Sequence, residues 1–142
     1  YARGVFFGLG SDTSRETMVQ SVLEGVGFAL LDGQSRLHAA GTHCELPGVI
    51  GGGARSRYWI QLISDIMGCP LARYEGAAKG PAFGAARLGR LALDNETVED
   101  VCQKPAIQEV IEPDMNRHAA YQPRFAKFKR IYSALREEFQ PA

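Results

Sequence analysis

Residues Ile50-Gly51-Gly52-Gly53-Ala54-Arg55-Ser56 carry the clearest chemical pattern in the chain. Three glycines follow the short apolar stretch Leu46–Ile50 and open into a helix-like run, Ser56–Met67. Glycine lacks a Cβ and accepts positive φ, so backbone there can approach a ligand closely. The start of a helix adds unpaired N–H groups and the positive end of the macrodipole, worth about 0.3–1 kcal/mol to a nearby anion. A nucleotide is the natural guest for such a turn. Close packing alone also produces glycine turns between strands and helices, and that reading stays open. A P-loop is excluded, because Gly76-Ala77-Ala78-Lys79-Gly80 has neither the spacing nor the Ser/Thr. The dinucleotide fingerprint fits poorly: with Gly51 and Gly53 in its first two glycine positions, Ser56 stands where the third Gly or Ala belongs. Glu75 lies about twenty residues on and could imitate the ribose-binding acid, so nicotinamide (NAD) binding is an alternative.

Other reactive side chains form no convincing constellation. Asp12, Asp32 and Asp65 each sit on or beside a helical stretch without a paired carboxylate, and read as caps or surface groups. Glu24, between Leu23 and Gly25, reads as a buried structural carboxylate bonded to backbone. His38, His43 and His118 have no nucleophile–base spacing, and no G-x-S-x-G elbow exists. Cys44, Cys69 and Cys102 are odd in number and far apart with no C-x-x-C, as expected of reduced thiols in a cytoplasmic protein. His43 beside Cys44 does not make a metal site, because adjacent side chains rarely converge on one ion.

The elements that would position the turn follow from periodicity. Val5–Leu9 is read as a strand or an extended lead-in, and Thr13-Ser14-Arg15-Glu16 as a capping box. Met18, Val22, Val26, Ala29, Leu30, Gly33 and Leu37 recur at three- and four-residue spacing, predicting one buried stripe on a helix that ends near Gly41. Gly25, Gly27 and Gly33 in that helix are read as close-packing positions. Leu46–Ile50 should be a strand with Pro47 at its start or an edge. The next helix is apolar on more than one side and stops at Gly68, with Pro70 beyond it. Leu71–Glu75 predicts another strand, Gly76–Gly80 a turn, and Pro81 the first turn of a helix through Ala92. Residues 94–120 look irregular apart from a short helix over Glu96–Val101, with a loop between Pro105 and Pro113 that carries Glu109 and Glu112. Tyr121, Phe125, Phe128, Ile131, Tyr132, Leu135 and Phe139 give a final helical stripe. This alternation of helices and strands indicates an α/β class.

Bulk composition excludes several partners. At 142 residues, 45% hydrophobic and 23% charged, the chain fits one soluble globular domain. Sixteen basic residues balance sixteen acidic ones, so no global field favours nucleic acid or an anionic membrane. The basic residues of the last helix read as a solvated face. No apolar stretch approaches the ~20 residues of a membrane span, and no signal peptide is evident. Tyr1 and the segment after it read as an element already under way, so residues 1–142 are expected to be a fragment.

Several blocks together resemble the carboxyl-terminal portion of the FGGY family of carbohydrate kinases, and its xylulose-phosphorylating branch in particular. They are Arg3-Gly4-Val5-Phe6-Phe7-Gly8-Leu9, Val22–Leu30 with Asp32-Gly33, and Ile50–Ser56 running on to Asp65-Ile66. Gly80–Leu88 and Ala119-Ala120-Tyr121-Gln122-Pro123 point to that branch. The resemblance implies half of a two-domain, actin-like ATPase fold of ribonuclease-H-like topology, with ATP in the cleft between domains. It implies transfer of the γ-phosphoryl of MgATP to a sugar, expected to be D-xylulose. It places Gly51, Gly52 and Gly53 against the nucleotide through backbone, Ala54 packed beside it, and Ser56 facing the adenine. The glycerol kinase branch has asparagine at the Ser56 position. The catalytic aspartate, a D-x-G-T phosphate loop and most sugar contacts are expected upstream, so no catalytic residue is expected in this chain; Asp65 matches a family position that is not catalytic. A non-catalytic nucleotide-binding module and kinases of glycerol, ribulose or gluconate are alternatives. A homodimer through this domain is also expected to be feasible.

Overall fold

The structure is a computed structural model that describes residues 2–93 and 96–140. Its elements in chain order are α1 (Arg15–Ala39), β1 (Gly48–Val49), α2 (Arg57–Met67), β2 (Leu71–Tyr74), α3 (Pro81–Leu93), α4 (Val98–Val101), β3 (Ile107–Ile111) and α5 (Met115–Leu135). Short 3-10 turns occupy Gly52–Arg55, Ala77–Lys79 and Glu137–Phe139. The strands form one sheet in the order β1-β2-β3, with β1 parallel and β3 antiparallel to β2. The α/β expectation holds. Residues 94 and 95, the start of the expected irregular stretch, lie outside the described residues, as does Tyr1.

Helix α2 is the hinge of the packing because it is apolar on two sides. One side sends Leu62 and Ile66 against Phe28 and Leu31 of α1 and Phe125 of α5. The other sends Ile60 and Ile63 against Leu71 and Ile111 of the sheet. Ile60 and Ile66 are almost wholly buried, each contributing about 1.5–3 kcal/mol by leaving water. Gly68 ends the helix in the left-handed conformation, φ +68°, with its N–H donated to the Ser64 carbonyl at 2.8 Å. That stop is where the sequence put it.

The buried face of α1 differs from the predicted stripe. Glu24, Gly27, Phe28 and Leu31 are buried, whereas Val22, Val26, Leu30 and Leu37 are exposed. Gly27 lets the helices meet: a Cβ there would lie 2.6 Å from Ile66 Cδ1. Gly25 and Gly33 face open space and have no such task. The helix cap also shifts by one residue, since Ser14, not Thr13, accepts from the Thr17 N–H at 3.2 Å. Residues Val5–Leu9 form no strand and are exposed. The expected strand is absent there among the described residues, and Gly8, at φ +83°, bends the segment.

Two further expectations are corrected in the second half. Residues 107–111, read as part of a loop, form β3, paired along β2 from Leu71↔Ile111 to Tyr74↔Ile107. Its Glu109 carboxylate binds Arg73 at 3.2 Å and Arg57 at 2.9 Å, so a charged residue stands in a strand by pairing across the edge. Helix α5 starts at Met115, six residues before the predicted stripe, capped by Asp114, which accepts from Asn116 and Arg117 N–H. Pro123 lies inside it, exposed, at a position where a missing N–H would ordinarily end a helix. The first half of the predicted aromatic stripe faces inward, with Tyr121, Phe125 and Phe128 around the Phe28 ring at 5.6–6.0 Å, but Tyr132 is exposed and Phe139 lies beyond the helix, in the 3-10 turn Glu137–Phe139.

Candidate functional site

The glycine turn lies just beyond the carboxyl end of β1, and the Gly76–Gly80 turn just beyond the carboxyl end of the parallel β2. Crevices at the carboxyl ends of parallel strands are where open α/β sheets receive ligands. The two turns touch. Gly51 N–H donates to the Ala77 carbonyl at 2.8 Å, and a Cβ on Gly80 would lie 3.4 Å from Gly51 Cα. The sequence showed both glycine clusters but gave no sign that they form one ledge.

Each glycine of the first turn has its own reason. Gly51 adopts φ +90°, ψ −172°, a region that side chains other than glycine's avoid. Gly53 sits on the Trp59 indole, where a Cβ would come within 2.6 Å of the ring. Gly52 is exposed and a Cβ there would meet nothing within 4 Å. The close-packing reading therefore explains Gly53 and backbone conformation explains Gly51; Gly51 and Gly52 both face open space, and Gly52 has neither a positive φ nor a packing neighbour to account for it. The Trp59 Nε1 is buried without a hydrogen-bond partner among the described residues, and the ring packs on Gly53.

Ala54 is buried and anchors the 3-10 turn, with its N–H donated to the Gly51 carbonyl at 3.1 Å. That turn separates the glycines from α2; they do not open directly into the helix. Ser56 is the N-cap of α2, exposed, and its Oγ accepts from the Trp59 N–H at 3.3 Å. Its hydroxyl proton remains available to a ligand. The structure thus brings Gly51, Gly52, Gly53, Ala54 and Ser56 together on one short segment between β1 and α2.

The carboxylates considered for chemistry are occupied elsewhere. Asp65 is fully buried, not a surface group, and accepts from Gln61 Nε2 at 2.8 Å, the Asp114 N–H at 2.9 Å and Arg117 at 3.3 Å. It pins the start of α5 to α2. Glu24 is buried as predicted, but side chains hold it rather than backbone: Arg124, Gln20 at 2.9 Å and the Tyr121 hydroxyl at 3.5 Å. Burial, with the Glu24 charge beside it, raises the Tyr121 phenol above its ordinary value. A cavity of about 430 Å³ between α2 and α5 is lined by Tyr58, Gln61, Tyr121 and these two arginines, away from the glycine ledge. Asp12 and Asp32 make no ion pair among the described residues. No group of three or more His, Cys, Asp or Glu side chains among the described residues is placed to hold a metal ion. No helix among them is long and apolar enough to cross a membrane.

Comparison with known proteins places these features in a family. The model of the FGGY family of carbohydrate kinases, C-terminal domain, matches residues 1–93. A xylulose kinase of Escherichia coli (strain K12) is 46% identical over 136 residues, covering 94% of this chain and 28% of the relative. A xylulose kinase of Klebsiella pneumoniae is 42% identical over 136 residues, covering 95% and 28%. The crystal structure of a kinase from Brucella ovis, titled a "xyloylose kinase", superposes with a TM-score of 0.79 at 37% identity, covering 96% of this chain and 28% of that one. The chain therefore spans a little over a quarter of the length of the relatives it matches.

Proposed function

This chain belongs to the FGGY family of carbohydrate kinases, and from that premise we propose that it supplies the nucleotide-binding half of an ATP-dependent sugar kinase. The observation that carries the proposal is the exposed backbone of Gly52, held out by a turn whose neighbours Gly51 and Gly53 are fixed by conformation and packing. The residues fit a nucleotide in one respect: open backbone where a Cβ would meet nothing. In this reading Gly51, Gly52 and Gly53 approach the ribose and α-phosphate, Ala54 holds the turn, and the Ser56 hydroxyl donates toward the base. ATP supplies the γ-phosphoryl group when bound; this chain's part is to grip and orient it. Phosphoryl transfer is largely positioning and charge stabilisation, so a rigid grip is a necessary contribution.

The base that accepts the sugar's hydroxyl proton and the carboxylates that organise Mg²⁺ fall, in this proposal, in an amino-terminal portion of the parent protein. Asp65 and Glu24 are committed to ion pairs inside the fold and cannot serve. The relatives named xylulose kinase favour D-xylulose as acceptor, converted to xylulose 5-phosphate. A cytoplasmic site of action goes with ATP use and with three free thiols.

The exposed apolar faces of α1 and of Val5–Leu9 are assigned to contact with the rest of the parent protein. A homodimer through the same faces is the competing arrangement. Light scattering that finds a strict monomer of the full-length protein at high concentration removes it.

The test is a coupled ADP-release assay on the full-length protein with D-xylulose, ribulose, glycerol and gluconate. D-xylulose should give the highest kcat/KM. Preference for another of these moves the protein to a different branch, and absence of turnover with all of them, alongside ADP binding, would mark a non-catalytic module. A response to NAD with none to ADP would favour an oxidoreductase instead.

A further inference from the structure

Trp59 is where the glycine turn meets the helical core. It is the third residue of α2 and half-buried, and its side chain packs against the cluster of Phe28, Leu31, Leu62, Ile66 and Phe125. The six-membered ring of the same indole lies on Gly53. A Cβ there would stand 2.6 Å from Cζ3, 3.0 Å from Cε3 and 3.6 Å from Cη2, all on the ring's outer edge. The backbone of Trp59 holds the other end of the segment, donating its N–H to the Ser56 Oγ at 3.3 Å. The turn Gly52–Arg55 has no side-chain cap, and Gly51 N–H to the Ala77 carbonyl is its tie to the neighbouring turn. Close-packed interiors yield little, so an indole seated on the core gives Gly53 a firm floor. Gly52 is one planar peptide away, and the ring that fixes Gly53 also limits where Gly52 can stand.

We propose, on the reading of this turn as the nucleotide site, that Trp59 is its positioning residue: the indole, seated on the α1–α2–α5 core, sets where the Gly52 backbone meets the nucleotide. Trp59 acts through Gly53. The contact bears on the part of the nucleotide gripped by the turn, remote from the transferred phosphoryl group, so its loss weakens nucleotide binding and leaves the transfer step alone.

Kinetics of the full-length protein test this. Trp59→Leu should raise the KM for ATP at least about fivefold, while kcat and the sugar KM stay within about twofold. Trp59→Phe keeps an aromatic ring on the core but withdraws the outer edge from Gly53, and should raise the KM for ATP by about threefold with less risk to folding. Gly53→Ala drives a methyl into the ring and should raise that KM at least about fivefold alone, but by less than about twofold when added to either Trp59 variant. Trp59 is the one tryptophan of the 142 residues, so its emission in this chain should change with ADP along the same curve as the Gly52 amide. A KM for ATP unmoved by both Trp59 variants would overturn the proposal. So would kcat or the sugar KM changing as much, an equal cost of Gly53→Ala in every background, or emission that ignores ADP while the Gly52 amide shifts. Gly52→Val separates the two levels. If it leaves the KM for ATP unchanged, the nucleotide reading falls and this inference with it; if it raises that KM and the Trp59 variants do not, this inference alone falls.

Discussion

At the scale of single residues, Gly51, Gly52 and Gly53 are neighbours with three different requirements. Replacing Gly51 by alanine places a Cβ at φ +90° and should cost about 1–3 kcal/mol of stability in a urea unfolding curve. Gly52→Ala, at a position with no positive φ and open space, should move that curve by less than about 0.5 kcal/mol. Equal losses at the two positions would mean that the turn is not built as described. A string of three glycines is easy to see in a sequence, but which of them serves the backbone, the core or a ligand depends on Trp59, six residues on, and on Ala77 across the sheet. Cys69 offers a second residue-scale check. Burial raises its thiol above the ordinary value, more than the hydrogen bond from Gln34 lowers it, whereas Cys44 and Cys102 are exposed. A raised thiol pKa leaves less thiolate at a given pH, so iodoacetamide at pH 8 should alkylate Cys69 last, by roughly fivefold or more. Peptide mass mapping that finds Cys69 modified first would contradict this.

At the scale of elements, the sequence revealed those whose buried faces are purely apolar and concealed those whose faces are mixed. Helix α2 is apolar toward both neighbours and ends at a glycine, and both features were legible. Helix α1 buries Glu24 and Gly27 while exposing Val22, Val26 and Leu30, so its hydrophobic period points to the wrong side. Strand β3 carries Glu109 and lies between prolines; its backbone pairs with β2, Ile111 enters the core, and Arg57 and Arg73 meet the Glu109 charge. The start of α5 was hidden by Pro123. The corrected face of α1 has a direct consequence. Gly33→Ala, in open space, should stabilise the protein by about 0.5–1 kcal/mol through helix propensity. Gly27→Ala should instead destabilise by about 1–3 kcal/mol, because the added methyl meets buried Ile66. Thermal unfolding of the two variants should shift in opposite directions; two upward shifts would mean that α1 and α2 do not approach so closely.

At the scale of the whole molecule, the exposed apolar faces and the missing acid–base chemistry agree. Val5, Phe6, Phe7 and Leu9 are exposed, as are Val22, Val26 and Leu30 of α1, and α3 buries none of its residues among those described. Asp65 and Glu24 are spent on internal ion pairs, and the proposal places the base that takes the sugar's proton in the rest of the parent protein. The 142-residue chain by itself should therefore release no ADP in response to D-xylulose, at enzyme concentrations where the full-length protein turns over readily. Measurable turnover by the chain would contradict that placement of the base.

The central claim is that a nucleotide rests on the Gly51–Ser56 turn, and its most direct test is a titration of the ¹⁵N-labelled chain with ADP. The amides of Gly51, Gly52, Gly53, Ala54 and Ser56 should shift together along one saturating curve, and Gly52→Val should abolish those shifts while leaving the rest of the spectrum in place. Shifts centred elsewhere, or an ADP response that Gly52→Val leaves intact, would contradict the account.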